Sequence, residues 1–170
     1  AKMVARAEAK DALESGDVHP SDPQKGLFDP VEGVKVDQMI GDVETLTIGN
    51  QTRTAIATPG HSPGGTSWRW TSCENGKCLD IVYADSISAV SADEYRFSDH
   101  PEYVAPLRAT ISRVAAIKPC DILITPHPSA SALFERLVGE MPLVRPNGCA
   151  EYAVGAKTRL ENRLAKESAK

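Results

Sequence analysis

The chain has 170 residues, 41% of them hydrophobic and 25% charged, with a formal net charge of -4. That is the composition of a globular chain of a size one ordinary domain fills. It excludes an acidic disordered tail and offers no basic patch for nucleic acid, and no apolar run is long enough to span a bilayer, so neither nucleic acid nor membrane is an expected partner.

In chain order, residues 1–14 read as a helix with Val4, Ala7, Ala12 and Leu13 at helical spacing and Gly16 as its stop. Its charged start lacks the apolar core of a signal peptide, so an export signal, if the protein is exported, is expected upstream of Ala1. Residues 17–30 hold Pro20, Pro23 and Pro30 and read as a surface loop. Short strands follow at residues 34–36, 44–48 and 52–58, the last two closed into a hairpin by Gly49-Asn50. Residues 66–70 and 79–83 flank a second hairpin.

Four cysteines permit two disulfides in three connectivities. One pairing has a local argument. In Cys73-Glu74-Asn75-Gly76-Lys77-Cys78 the central Asn-Gly is the strongest two-residue hairpin signal. With that turn Glu74 faces Lys77, and Cys73 faces Cys78 with Cα atoms about 4.5 Å apart, at the short end of the disulfide range. The alternative is a metal knuckle, which would need a matching short spacing that Cys120 and Cys149 do not show. A disulfide here points to an oxidising compartment.

After Ser91 the pattern becomes helical. Asp99 is placed to cap a helix over residues 101–117, with Val104, Leu107, Ile111, Val114 and Ala115 on one face. A strand is expected over 121–125, a helix over 131–138, and a last helix from 151 to 168 with Ala153, Ala156, Leu160 and Leu164 inward. A strand meander followed by alternating helix and strand gives an α+β fold, a mixed sheet covered by helices on one face.

Chemistry belongs on the loops that follow strands. Three stand out: residues 58–65, 83–88 and 125–129. In the first, Gly60-His61-Ser62-Pro63-Gly64 matches the G-x-S-x-G nucleophile elbow. The match fails chemically. The residue after the serine must donate its N–H to an oxyanion, Pro63 has none, and a strand rather than a helix follows. His61 is the better candidate, held in a loop that Pro59 and Pro63 stiffen, as a metal ligand requires. His127 sits likewise between Pro126 and Pro128 just after a strand. The competing reading for each is an ordinary loop histidine. His19 and His100 are expected to be solvent-exposed. Asp85 either binds metal or holds its loop through backbone N–H groups. Ser86 and Ser88, facing the same way in an extended segment, either hold an anion together or cap the loop.

These loops, Thr58-Pro59-Gly60-His61-Ser62-Pro63-Gly64-Gly65-Thr66-Ser67-Trp68, Tyr83-Ala84-Asp85-Ser86-Ile87-Ser88 and Pro119-Cys120-Asp121-Ile122-Leu123-Ile124-Thr125-Pro126-His127-Pro128, with Cys149-Ala150-Glu151-Tyr152-Ala153 after them, resemble the C-terminal half of the subclass B3 metallo-β-lactamases. The resemblance implies an αββα sandwich, of which residues 1–170 are the C-terminal part of a single domain. It implies two zinc ions, His61 on the first and His127 on the second, Ser86 and Ser88 on the carboxylate of a β-lactam substrate, and Asp85 in a supporting role. It also implies pairing of Cys120 with Cys149, and Cys73–Cys78 as an extra bridge. The family's H-x-H-x-D-H motif cannot be built from histidines at 19, 61, 100 and 127. The expected partner is therefore the missing N-terminal half, and this chain alone is expected to be inactive. The implied activity is zinc-dependent hydrolysis of β-lactam antibiotics, hence antibiotic resistance, in the periplasm or outside the cell. Its alternatives are another hydrolase of the superfamily, a lactonase or thioesterase, and a non-catalytic half acting as a folding or binding partner.

Overall fold

The computed structural model describes residues 1–169. Strand β1 (Val4–Ala5), helix α1 (Ala7–Ser15) and strand β2 (Gln38–Met39) form a small parallel unit. The helix starts later than its apolar spacing suggests because residues 3–5 are taken by the ladder. Asp37 and Gln38 donate their N–H groups to Met3 O, and Ile40 donates to Ala5 O. At the other end Gly16 takes φ 73°, the left-handed conformation that closes a helix, and donates its N–H to Ala12 O. The expected strand at 34–36 is absent for a related reason. Val34 donates to Leu13 O at 2.7 Å, and Val36 donates to Glu14 Oε1 at 3.2 Å, so this stretch caps the end of α1 instead of joining a sheet.

The main sheet has five strands: β3 (Thr45–Ile48), β4 (Gln51–Ala57), β5 (Thr66–Glu74), β6 (Lys77–Tyr83) and β7 (Ile122–Ile124), in the order β3-β4-β5-β6-β7. The first four are antiparallel and β7 runs parallel to β6, so the sheet is mixed. The β5–β6 turn has Asn75 at φ 50° and Gly76 at φ 79°, the paired positive values of the favoured two-residue hairpin. The ladder runs right up to it, with Glu74 opposite Lys77 and Cys73 opposite Cys78. That facing pair is a disulfide, Cα to Cα 4.0 Å.

Helices α2 (Pro101–Ala115) and α4 (Gly148–Ser168) cover one face of the sheet, and the short α3 (Leu133–Leu137) lies between β7 and α4 in the chain. The core is built from Val82 and Leu123 of the sheet, Leu107, Ile111 and Val114 of α2, and Ala153, Ala156 and Leu160 of α4, all buried. Leu164 is partly buried against it. Because side chains alternate along a strand, the register places Trp68, Tyr83 and Ile124 in one row and Trp70, Ile81 and Ile122 in the next on the opposite face. All six are only partly buried.

The second disulfide, Cys120–Cys149, joins the approach to β7 to the first turn of α4. Gly148 lies so close to the sheet that a Cβ on it would stand 3.2 Å from Leu123 Cβ. This anchoring starts α4 at Gly148, ahead of the expected 151.

Loop length and burial rank the two bridges. Cys120–Cys149 spans 29 positions with both residues buried, whereas Cys73–Cys78 spans 5 and is exposed. Replacing both cysteines of a bridge by alanine is expected to cost about 3.5 kcal/mol for the first and about 2 for the second, read from urea denaturation. Mild reduction with thiol labelling should open Cys73–Cys78 first; release of Cys120 and Cys149 ahead of it contradicts this ranking.

Candidate metal centre

Strands β4 and β6 both run antiparallel to β5, and β7 runs parallel to β6, so all three point the same way. The segments that follow Ala57, Tyr83 and Ile124 therefore leave the sheet at one edge. That geometry gathers the three loops singled out above.

The His61 loop is gripped from several sides through its glycines. A Cβ on Gly60 (φ 143°) would lie 2.6 Å from Leu107 Cδ1 of α2. One on Gly64 would lie 2.4 Å from Ala9 Cβ of α1, and one on Gly65 would lie 2.3 Å from Thr58 O. Contact this close requires glycine. Thr110 of α2 also donates its hydroxyl to Pro59 O. Strand β5 begins right after Gly65, so Ser62 has neither the following helix nor the N–H donor of a nucleophile elbow.

Asp85 ties this loop to the next. Its Oδ2 accepts the Thr66 N–H at 2.9 Å and its Oδ1 accepts the Ser86 N–H at 2.8 Å. Its own N–H donates to Ser67 Oγ at 2.9 Å, and that hydroxyl lies 2.9 Å from Thr58 Oγ1. Of the two roles open to Asp85 in the sequence, the geometry displays the backbone-holding one. Tyr152 of α4 donates its hydroxyl to Asp85 O at 3.4 Å. Burial pushes that phenol above its ordinary pKa and keeps it a neutral donor.

His61 is held by one ring nitrogen. Its Nδ1–H donates to the Ser88 carbonyl at 3.0 Å, and Ser88 Oγ lies 3.3 Å from the same nitrogen. A carbonyl only accepts, so the proton is on Nδ1 and the Nε2 lone pair is free. A metal-ligating histidine is oriented in this way. Ser88 Oγ is 2.8 Å from Ser86 Oγ; Ser86 is buried and Ser88 partly so. His127 is exposed, with no hydrogen bond to its ring among the described residues. Its backbone is fixed instead: its carbonyl accepts the Thr125 hydroxyl at 2.8 Å and the Ala130 N–H at 2.9 Å.

The chemistry of His61 thus fits zinc, and His127 offers a second, solvent-facing imidazole. Among the described residues no three His, Cys, Asp or Glu side chains are grouped to hold a metal ion, so the donor set is partial. His19 and His100 lie outside these loops; each is partly buried as a whole residue, with its ring nitrogens in exposed hydrogen bonds, as expected. His19 Nδ1 accepts the Ser21 N–H at 3.1 Å, and His100 stacks on Tyr95 with ring centroids 4.4 Å apart. Sequence reasoning missed the supports Ala9, Thr58, Ser67 and Thr110; the Gly64-Gly65 pair was the available sign of close backbone approach.

Asp85→Ala would leave two partly buried N–H groups without their charged acceptor. The expected loss is about 3 kcal/mol in urea denaturation, with Asp85→Asn recovering part of it through its one remaining acceptor. An unchanged midpoint for the alanine variant would show that the loops are held by something else.

No protein-family model matches the chain. Solved structures do. The metallo-β-lactamase MIM-1 from Novosphingobium pentaromativorans is 46% identical, with a TM-score of 0.95 over 99% of this chain and 62% of that one. The metallo-β-lactamase SMB-1 bound to 2-mercaptoethanesulfonate is 42% identical, TM-score 0.91, over 98% and 66%. MEM-A1, a subclass B3 metallo-β-lactamase isolated from a soil metagenome library, is 36% identical, TM-score 0.89, over 99% and 67%. The chain spans less than two thirds of the length of the first two. With the α+β fold, the mixed sheet, both disulfides and the three loops all in place, the chain belongs to the subclass B3 metallo-β-lactamases.

Proposed function

We propose that residues 1–170 are the C-terminal part of one metallo-β-lactamase domain that hydrolyses the amide bond of β-lactam antibiotics with two zinc ions. The observation that carries this reading is the His61 Nδ1–H bond to the Ser88 carbonyl, which leaves Nε2 free and aimed by a rigid loop. His61 holds one zinc and His127 the other. Bound zinc supplies a Lewis acid and lowers the pKa of water to about 7. The chain's own groups do the rest. Asp85 keeps the His61 loop in register with β5, and the hydrogen-bonded hydroxyl pair of Ser86 and Ser88 contacts the substrate carboxylate. No side chain here acts as a covalent nucleophile.

The remaining ligands come, on this reading, from a segment carrying H-x-H-x-D-H, because three or more protein ligands per catalytic zinc are usual. Two features support a missing partner. The sheet face bearing Trp68, Trp70, Ile81, Tyr83, Ile122 and Ile124 is apolar and only partly buried, and a second sheet laid on it would complete a sandwich. The β1–β2 pair is a two-stranded parallel sheet, too small to be stable unless more strands join it. The disulfides suit a periplasmic or secreted enzyme.

The chain alone is expected to show no useful nitrocefin hydrolysis. Adding a polypeptide that contains the H-x-H-x-D-H segment should restore zinc binding and turnover together, with nitrocefin preferred over thioester and lactone substrates. In the restored complex His61→Ala or His127→Ala should lower kcat/KM by more than the about 10–100-fold that loss of a supporting partner costs. Tight binding of two zinc ions and turnover by the chain alone would refute the shared-site reading.

A further inference from the structure

Ser86, Ser88 and His61 form a line of hydrogen-bonded polar atoms. The Ser88 carbonyl requires the hydrogen on His61 Nδ1. Ser88 Oγ, 3.3 Å from that same nitrogen, meets it as a second acceptor, and it lies 2.8 Å from Ser86 Oγ, where either hydroxyl can donate to the other. Whichever donates, one O–H of the pair is left as the terminal donor of the line; no other hydrogen bond to the Ser86 hydroxyl is present among the described residues. Ser86 itself is 5% exposed and held in place by the Asp85 carboxylate at its N–H.

We propose that Ser88 is a positioning residue for His61, and that the Ser86–Ser88 pair couples a carboxylate bound at these hydroxyls to metal affinity at His61 Nε2. The proposal rests on the reading of His61 as a zinc ligand. Its sign follows from the hydrogen on Nδ1 and is the same whichever serine donates to the other. An anion that accepts from the line draws each hydrogen towards itself, and hydrogen bonds in a line polarise one another. The Nδ1–H bond tightens, and Nε2 becomes the stronger donor to a metal. Conversely, a metal on Nε2 withdraws electron density from the ring and makes Nδ1–H a better donor into the line. Carboxylate and metal therefore strengthen each other's binding, and by the same factor, because linkage between two binding equilibria is reciprocal. If the serines merely touched substrate, neither effect would exist.

The test uses this chain assembled with the polypeptide carrying H-x-H-x-D-H, zinc as the metal and benzoate as the carboxylate. Zinc affinity is measured by titration, and the His61 Nδ1–H signal is followed by NMR. Ser88→Ala should weaken zinc binding about tenfold and speed solvent exchange of the Nδ1 hydrogen, while Ser88→Thr, which keeps the hydroxyl, should retain both. Benzoate should tighten zinc binding at least about fivefold in the parent and much less in Ser88→Ala, in which any direct contact of benzoate with zinc survives. Unchanged zinc affinity and unchanged His61 exchange in Ser88→Ala overturn the positioning role. An equal benzoate effect in parent and Ser88→Ala overturns the coupling. His61→Ala separates the two levels. If it leaves zinc affinity unaltered, the ligand reading falls and the relay with it; if it weakens zinc while Ser88→Ala does not, only the relay falls.

Discussion

Both carboxylate oxygens of Asp85 are committed to backbone N–H groups, one at the start of β5 and one in its own loop. The candidate site depends on this tie. Sheet topology brings three loops to one edge, but an edge does not fix loop conformation. Asp85 closes the first loop against the second, and the hydroxyls of Thr58 and Ser67, both fully buried, fill the space behind it. A charged acceptor with two N–H donors is among the stronger hydrogen-bonding arrangements available to a partly buried loop. The glycines complete the arrangement. Because Gly64 and Gly65 carry no side chain, α1 and the Thr58 carbonyl approach the loop backbone directly, and His61 is positioned by contacts on several sides.

The sheet serves two purposes on its two faces. Towards α2 and α4 it presents Val82 and Leu123 to a closed core. On the other face it presents two rows of aromatic and branched side chains that remain partly exposed. A contiguous apolar surface of that kind on a chain of this size is an interaction surface or an aggregation liability. The solved relatives are longer, since this chain aligns over almost its whole length with 62–67% of theirs. The same two-sidedness is visible in the sequence of β6. β6 runs Leu79, Asp80, Ile81, Val82, Tyr83 with apolar residues on both faces, the pattern of a strand meant to be covered twice.

Legibility followed the range of the deciding interaction. The Asn75-Gly76 turn, the Cys73–Cys78 pair and the Val104, Leu107, Ile111, Val114 stripe are decided within a few residues, and all stand in the fold as the sequence suggests. The expected strand at 34–36 failed because its N–H groups are claimed by Leu13 O and the Glu14 carboxylate, some twenty positions away and invisible to local alternation. The first helix was drawn too long because the competing partner of residues 3–5 is β2, again remote in sequence. Cys120–Cys149 was available only through resemblance, since a separation of 29 carries no pairing signal of its own. In the sequence His61 and His127 are marked by their prolines, whereas His19 and His100, with exposed rings, lie outside the three loops. Each has found a local partner, Ser21 for one and the Tyr95 ring for the other, that a residue-type expectation does not contain.

The two candidate ligands differ in how much of their order is prepaid. His61 has its ring fixed by the Ser88 carbonyl and its backbone fixed by α1, α2 and Asp85. Its conformational entropy is already lost when the chain folds, so a metal need supply little further ordering. His127 has only its backbone fixed, through Thr125 and Ala130, and its exposed ring keeps its rotamers. Pro126 and Pro128 limit the main chain on either side but leave the side-chain torsions free. Ordering that ring draws on binding free energy, about 0.5–1.5 kcal/mol for a side chain with accessible rotamers. Within this chain, preorganisation is therefore concentrated at His61.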